Sequence, residues 1–203
     1  SPAKVQSALL QAMEERQITI GEKTYLLKDP FLVMATQNPI EQEGTYSLPE
    51  AQVDRFMFKI NIKYPNKNEE LLILNRMGQL SSDVDINPII SPKQILSIRN
   101  NINNVHIADN LKEYIVSIID ASRNPDNYNL KDIKQLIEFG ASPRATIFML
   151  RSAKVNAYLN KRSFVVPEDI RYVGKSILCH RIILSYEAEA EEINTYDIID
   201  RIF

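Results

Sequence analysis

The sequence ATQNPIEQEGTYSLPEAQVDR, residues 35–55, decides the fold that we predict for this chain. It runs from the end of an apolar segment through Asn38 and a polar loop to a short helix that ends at Arg55. An amide that follows a buried strand can orient a water molecule or contact a phosphate. An arginine held by a helix can stabilise the charge on a transferring phosphoryl group. The stretch therefore indicates part of a nucleotide-hydrolysing site shared between subunits.

The residues around this stretch predict a mixed α/β part over residues 1–64. A helix begins at Ser1-Pro2, an N-cap followed by proline, and should end near Arg16. Residues 17–27 alternate about Gly21 as a β-hairpin does. The apolar run at residues 31–36 predicts a strand covered on both faces, and residues 56–62 predict another.

From about residue 68 onward the apolar residues recur at helical spacing. Ser-Pro or Pro signals predict helix starts at residues 91, 142 and 167. The second of these helices should run to about residue 161, and because its first turns are apolar almost all round, it should be the buried centre of a bundle. We predict a helix over residues 132–139 that stops at Gly140, and a last one over residues 193–202. The fold class is therefore α/β plus all-α, with a core part at 1–64, a linker helix region at 65–87 and a helical lid at 88–203.

The composition restricts the classes of function. The net charge is −2, which argues against a nucleic-acid binder because such proteins usually carry a basic face. The one cysteine, Cys179, excludes an internal disulfide and favours a cytoplasmic protein. No run of eighteen apolar residues is present, so we expect no membrane span. Because Ser1 stands at a helix start without a preceding Met, we expect the chain to be a piece of a longer protein.

Each candidate site residue also has a structural interpretation. Asn38 could cap a loop, and Arg55 could pair with Asp54 or a nearby glutamate. Arg144 lies in the first turn of a helix, where a cation opposes the helix dipole, so either a phosphate or an acid such as Glu138 should be near. Cys179 adjoins a histidine without the spacing of metal ligands, and we expect core packing there and no metal site.

Taken together, four segments resemble the MoxR family of AAA+ ATPases. They are SPAKVQSALLQAMEERQITIG at residues 1–21, ATQNPIEQEGTYSLPEAQVDRF at 35–56, GASPRA at 140–145 and ILCHRIILSYEAEAE at 177–191. The resemblance covers nearly the whole chain in the family's order and spacing. It implies a partial P-loop NTPase core, with a remnant parallel sheet and a hairpin, followed by a helical-bundle lid.

The resemblance implies a role for each candidate residue. Asn38 corresponds to sensor 1, which positions the attacking water near the γ-phosphate, and Arg55 to the arginine finger supplied to the adjacent subunit. Arg144 corresponds to sensor 2, which binds the nucleotide from the lid, in its own subunit or the neighbour's. Glu50 and Gln52 lie beside the finger and would shape the subunit interface.

The family's P-loop and the Asp-Glu pair of Walker B are absent from this sequence. The resemblance places both upstream of Ser1, together with the phosphate cradle, the Mg²⁺ ligand and the catalytic glutamate. The chain alone is therefore expected to be inactive. The resemblance implies ATP and Mg²⁺ as cofactors of the parent protein, a ring that is a hexamer, and protein clients such as proteins with von Willebrand factor A domains.

Two other functions remain open at this point. The chain could be a non-catalytic protein-interaction module, because it lacks the phosphate cradle. It could also belong to a chelatase-like or helicase-like AAA+ motor, since related families share these elements. The acidic balance disfavours a motor that acts on DNA.

Overall fold

The structure is a computed structural model that describes residues 3–37, 48–78 and 86–203. Two small antiparallel sheets of two strands each are present in these ranges. The elements in chain order are α1 (Ala3–Glu15), β1 (Gln17–Ile20), β2 (Lys23–Leu26), α2 (Glu50–Val53), α3 (Lys67–Met77), α4 (Pro92–Asn103), α5 (Asp109–Ala121), a 3₁₀ turn (Pro125–Tyr128), α6 (Lys131–Lys134), β3 (Ile137–Phe139), α7 (Pro143–Leu159), α8 (Pro167–Leu178), β4 (Ile183–Leu184), α9 (Tyr186–Ala190) and α10 (Thr195–Ile202).

The predicted hairpin is confirmed. β1 pairs antiparallel with β2, with Gln17 opposite Leu26 and Ile20 opposite Lys23. Gly21 follows β1 with a φ of +63°, a left-handed conformation that glycine adopts without steric cost. The fold class is also confirmed, because a mixed segment with a hairpin precedes a helical bundle.

The two single strands predicted at residues 31–36 and 56–62 are wrong for the described residues. Both segments lie outside the strands, and within the described ranges no other segment pairs with them. Leu32, Met34, Ile60 and Ile62 are largely exposed. A strand needs a neighbour whose backbone completes its hydrogen bonds, and an apolar run needs cover on both faces. Neither condition is met by the described residues, so the apolar sequence alone does not produce a strand.

The predicted helix starts are confirmed by side-chain caps. The Ser91 hydroxyl accepts from the Gln94 amide at the start of α4, and the Ser142 hydroxyl accepts from the Arg144 amide at the start of α7. α8 begins at Pro167, as predicted. A cap satisfies one of the N–H groups that the first turn leaves without a partner, which fixes where the helix begins.

The hydrophobic core lies within the helical part, between α5, α7, α8 and α10. α7 supplies a buried row at four-residue spacing, consisting of Ala145, Met149, Ala153 and Ala157. Three of these side chains are methyl groups, so α8 can approach α7 closely. α7 contacts α4, α5 and α8, as predicted for the centre of the bundle, but Ile147 in its first turns is 50% exposed.

The predicted helix over residues 132–139 is replaced by two shorter elements. α6 covers Lys131–Lys134, and β3, Ile137–Phe139, pairs antiparallel with β4. The helical spacing of Ile133 and Leu136 predicted one continuous helix, but both residues are buried here without it. The tertiary pairing with residues 183–184 decides the conformation, as it often does for short strands. Gly140 follows β3, and a Cβ there would lie 2.3 Å from the Ser122 carbonyl oxygen.

A largely buried ion pair lies at the start of α8. Arg162 donates from two nitrogens to the Asp169 carboxylate, at 2.6 and 2.7 Å, and Asn156 donates to the same group at 2.7 Å. Burial alone would raise the pKa of Asp169, but these hydrogen bonds and one from the Val166 amide hold it below its ordinary value. The pair lies within the helical part of the chain.

In the described ranges, none of the helices has the length and apolar character needed to cross a membrane.

Candidate functional site

Arg55 follows the short helix α2 and has a side chain that is 29% exposed. Its Nη1 lies 3.2 Å from Oε2 of Glu14, on α1. Its Nε is buried and has no hydrogen-bond partner among the described residues. Buried N–H donors are nearly always paired, so an Nε without a partner in the described part of the chain is unusual.

Arg144 is the second residue of α7 and therefore lies at the positive end of the helix dipole. Its Nη2 lies 2.6 Å from Oε1 of Glu14, and its Nη1 lies 3.3 Å from Oδ2 of Asp54. The sequence led us to expect an anion near Arg144, and the structure places two carboxylates there, that of Glu14 on α1 and that of Asp54 after α2. Among the described residues, Arg144 forms no ion pair with Glu138, the acid suggested by the sequence.

Glu14 brings the two candidate arginines together. Each of its carboxylate oxygens contacts one guanidinium group, Oε2 that of Arg55 and Oε1 that of Arg144. Its side chain is 40% exposed, so this shared anion lies at the surface. The sequence did not single out Glu14, because a glutamate near the end of a helix is most often a solvated residue. Its only signal was its place in the first segment of the resemblance.

Asp54, next to Arg55, is the second anion of the cluster and is 16% exposed. Its carboxylate accepts hydrogen bonds from the Ser142 hydroxyl at 2.8 Å and from Arg181 Nε at 2.8 Å. Burial would raise the pKa of Asp54, but the hydrogen bonds from Ser142, Arg181 and Arg144 hold it below its ordinary value. Asp54 therefore remains charged and ties residues 54–55 to the helical part.

Arg181, which the sequence did not identify as a candidate, lies behind Asp54 with 1% of its side chain exposed. Burial lowers the pKa of Arg181 and the hydrogen bond to Asp54 opposes that shift, so the pair stays ionised. We name the set Glu14, Asp54, Arg55, Arg144 and Arg181 the arginine cluster.

His180 is buried beside the arginine cluster. Its Nε2 lies 3.1 Å from the carbonyl oxygen of Phe56, which can only accept, so Nε2 carries the proton. Burial, together with the charge of Arg181, lowers the pKa of His180 to about 4. The imidazole is therefore neutral at pH 7 and serves as a packing and hydrogen-bonding residue. The core role predicted for the Cys179-His180 pair agrees with this environment, and Cys179 is buried too.

The other residues proposed from the sequence are Asn38, Glu50 and Gln52. Asn38 lies outside the described residues, so its position relative to Arg55 stays a prediction. Glu50 is exposed, and Gln52 has a buried Oε1 without a partner in the described part of the chain. The described residues contain no group of three His, Cys, Asp or Glu side chains that could hold a metal ion.

Comparison with known proteins gives the family. Residues 1–58 match the family model of the ATPase family associated with various cellular activities, AAA_3, and residues 130–202 match the AAA lid domain. The chain is 43% identical over 202 residues to chaperone MoxR1 of Mycobacterium tuberculosis, a match that covers 100% of this chain and 53% of MoxR1. This chain belongs to the MoxR family of AAA+ ATPases.

The chain is also similar to a second curated protein and to a solved structure. The uncharacterised protein YeaC of Bacillus subtilis is 41% identical over 98% of this chain and 59% of its own length. A crystal structure from Cytophaga hutchinsonii, described as that of a candidate ATPase, superposes with a TM-score of 0.94 and 52% identity, covering 100% of this chain and 61% of that one. The chain thus spans little more than half the length of the curated relatives it matches.

The low pKa of His180 predicts how stability depends on pH. Because the folded-state pKa, about 4, lies below the ordinary value of 6.5, the unfolded chain binds a proton first as the pH falls. His180 should therefore lower the free energy of unfolding between pH 6.5 and pH 4, by about 1 to 3 kcal/mol.

Urea unfolding at several pH values checks this expectation. In His180→Gln, whose amide can donate to the Phe56 carbonyl oxygen without titrating, the dependence over that pH range should become flatter. An unchanged slope in the variant would show that other groups cause it. Asp54 and Asp169 have lowered pKa values, so their charged forms stabilise the folded state. That stabilisation is lost only below this range, at pH values of about 4 and lower.

Proposed function

We propose that this chain is the C-terminal part of an ATPase in which Arg55 and Arg144 act together on one ATP molecule held by a neighbouring subunit. We call the longer protein the parent. The proposal rests on one observation. The guanidinium groups of Arg55 and Arg144 each bind one of the two oxygens of the Glu14 carboxylate. Groups that share one carboxylate are close enough to share one phosphate, because both anions present oxygens to planar N–H donors.

The Glu14 contacts suit an anion that can be replaced. Glu14 and Arg144 are both about two-fifths exposed, and exposed ion pairs contribute only about 0 to 1 kcal/mol. A phosphate group carries more charge than a carboxylate and offers three oxygens. Nη1 of Arg55 and Nη2 of Arg144, which contact the Glu14 carboxylate, are the donors that a phosphate in its place would meet. An incoming phosphate would therefore displace Glu14.

In this proposal the arginines supply positive charge at the moment of phosphoryl transfer. Charge spreads over the equatorial oxygens of the transferred group, and fixed guanidinium groups stabilise it without rearrangement. Mg²⁺, with ligands from the upstream segment of the parent, would neutralise further phosphate charge. Asn38 would orient the attacking water, as the family resemblance implies. The arginines bind the phosphate and exclude water from it, and they exchange no protons because guanidinium stays charged.

The rest of the active site is proposed to come from the parent's upstream segment. Two facts support this, the half-length coverage of the curated relatives and the exposure of large apolar side chains in the segments that were predicted as strands. Patches of exposed apolar side chains in soluble proteins usually mark contact surfaces. We further propose that parent subunits form a hexameric ring, since a finger needs a neighbour, that they act in the cytoplasm, and that they remodel protein clients, among them von Willebrand factor A domain proteins.

A specific observation also favours a protein-interaction module. Leu71, Leu72, Ile73 and Leu74 of α3 are all more than half exposed, which leaves an apolar helix surface without cover in the described residues. The same surface would be covered if the parent's own upstream segment packs against it. The two functions differ in whether the arginine cluster matters to turnover, and the experiments below separate them.

The first prediction concerns Arg55. In the parent, Arg55→Ala should lower kcat for ATP hydrolysis by about 10³ to 10⁵, because a finger acts mainly in the transition state. The Kd for ATP should change little. Steady-state phosphate release and equilibrium nucleotide binding measure the two quantities. Arg201→Ala, which removes an exposed arginine paired with Asp132 on the lid, is the matched control and should keep normal turnover. A normal kcat for Arg55→Ala would remove the finger role and favour an interaction module.

The second prediction concerns Arg144. Arg144→Ala should lower kcat by about 10-fold or more, since one of two guanidinium groups on the phosphate is lost. The same phosphate-release assay applies, with Arg201→Ala again as control. If kcat and nucleotide affinity both stay at the level of the unmodified protein, Arg144 is only a structural partner of Glu14 and Asp54.

A third prediction concerns the isolated 203-residue chain. Titration with a fluorescent ATP analogue and Mg²⁺ should give no saturable binding, because the family's P-loop is absent from this sequence. Two surface-exposed arginine contacts cannot replace the many backbone N–H groups of a P-loop. Saturable binding in the micromolar range would contradict the proposal that the cradle lies wholly in the upstream segment.

A further inference from the structure

Arg181 lies one residue beyond the His180 ring and reaches from the end of the lid helix α8 to the segment that carries Arg55. Its Nε contacts the Asp54 carboxylate at 2.8 Å, and its Nη2 donates to the Asp54 carbonyl oxygen at 2.8 Å. Nη2 also donates to the Phe56 carbonyl oxygen at 2.5 Å, and Nη1 to that of Met57 at 3.3 Å. One side chain therefore binds the backbone on both sides of Arg55.

The other side of Arg181 is anchored in the lid. Nη1 also donates to the carbonyl oxygen of Ile177, in the last turn of α8. The guanidinium carbon lies 5.1 Å from the ring centroid of Phe148, on α7, which suits a cation–π contact. Arg181 is thus a rigid connection between two lid helices and residues 54–57. Its burial leaves it little freedom to take another rotamer.

We propose that Arg181 is a positioning residue, which fixes the backbone of residues 54–57 so that Arg55 points at the neighbouring nucleotide. The inference rests on the proposed function of Arg55. Arg181 does not touch the nucleotide in this account. It couples the position of the lid to the orientation of the finger, because the same guanidinium group holds both.

An arginine is required for this connection. Its planar guanidinium group presents five N–H donors in a fixed fork, and here these donors reach a carboxylate and four carbonyl oxygens. A lysine keeps the charge but offers three donors from one point, so it cannot hold Asp54 and Phe56 in the same geometry. A shift of the finger by about 1 Å is enough to lower a rate by about 100-fold.

The test is Arg181→Lys in the parent. We expect kcat to fall by about 10-fold or more, with an unchanged Kd for ATP and an unchanged ring size. Amide hydrogen exchange of residues 54–58 should become faster. In an Arg55→Ala background, Arg181→Lys should cause no further loss of kcat, because a misplaced finger and a missing finger are equivalent.

Arg162→Lys is the matched control. It weakens another inward-facing arginine pair of the lid, that with Asp169, without contact to residues 54–57, so stability should fall while kcat stays normal. If Arg181→Lys does not fold, the double variant Asp54→Asn/Arg181→Gln goes through the same measurements. It removes both charges of the pair together, so neither is left buried without its partner.

The outcomes separate the two proposals. Normal kcat and normal exchange in Arg181→Lys, with Arg55→Ala inactive, would overturn the positioning role alone. The positioning role would also be overturned if Arg181→Lys lowered kcat by the same factor in the Arg55→Ala background as in the otherwise unmodified parent. Arg181 would then act by a route that does not involve Arg55. If Arg55→Ala itself retains normal kcat, the proposed finger fails and the role of Arg181 toward it fails for that separate reason.

Discussion

The ion pair between Asp54 and Arg181 is the interaction on which the arrangement of the candidate site depends. Asp54 is adjacent to Arg55, and Arg181 lies at the end of α8. The pair therefore joins two residues that are 127 positions apart in the sequence. Both side chains are mostly removed from water, and breaking such a pair by removing one partner costs about 3 to 5 kcal/mol. Ser142 and Arg144 also donate hydrogen bonds to the Asp54 carboxylate. The start of α7 is thereby held to the same group as the end of α8.

The charge of the arginine cluster follows from this arrangement. Three guanidinium groups, those of Arg55, Arg144 and Arg181, face the two carboxylates of Glu14 and Asp54. One positive charge is left over, and it lies on the exposed side because Arg181 is fully committed to Asp54 and backbone oxygens. A surface with an excess guanidinium charge attracts an anion with several oxygens. This is the physical basis for a phosphate contact at Arg55 and Arg144.

The sequence predicted the helices well, because their signals are local. Ser91, Ser142 and Pro167 each mark a start that depends only on a few residues, and α10 begins within two residues of its predicted position. The single strands failed for the opposite reason. Residues 31–36 carry a strand composition, but a strand forms only with a partner, and the described residues provide none. Residues 137–139 became a strand because residues 183–184 lie beside them, a contact that no local pattern records.

The site was predictable only in part. Arg55 and Arg144 were found through their place in family segments, and their assigned roles remain proposals. Glu14 and Arg181 were missed because their importance arises from contacts across 130 and 127 positions. Neither residue stands out by type or spacing. The requirement for an anion near Arg144, which follows from its place at a helix start, was the one electrostatic signal that pointed toward these contacts.

The central claim is that Arg55 and Arg144 of one subunit serve the same nucleotide of the next. The most direct test mixes parent subunits and measures ATP hydrolysis of the mixed rings. Arg55→Ala subunits and Arg144→Ala subunits should each recover activity with subunits that cannot bind ATP, since those still supply both arginines. Mixing Arg55→Ala with Arg144→Ala should give no recovery, because no neighbour then supplies both. Recovery in that last mixture would contradict the claim, since it requires Arg144 to act on its own subunit's ATP.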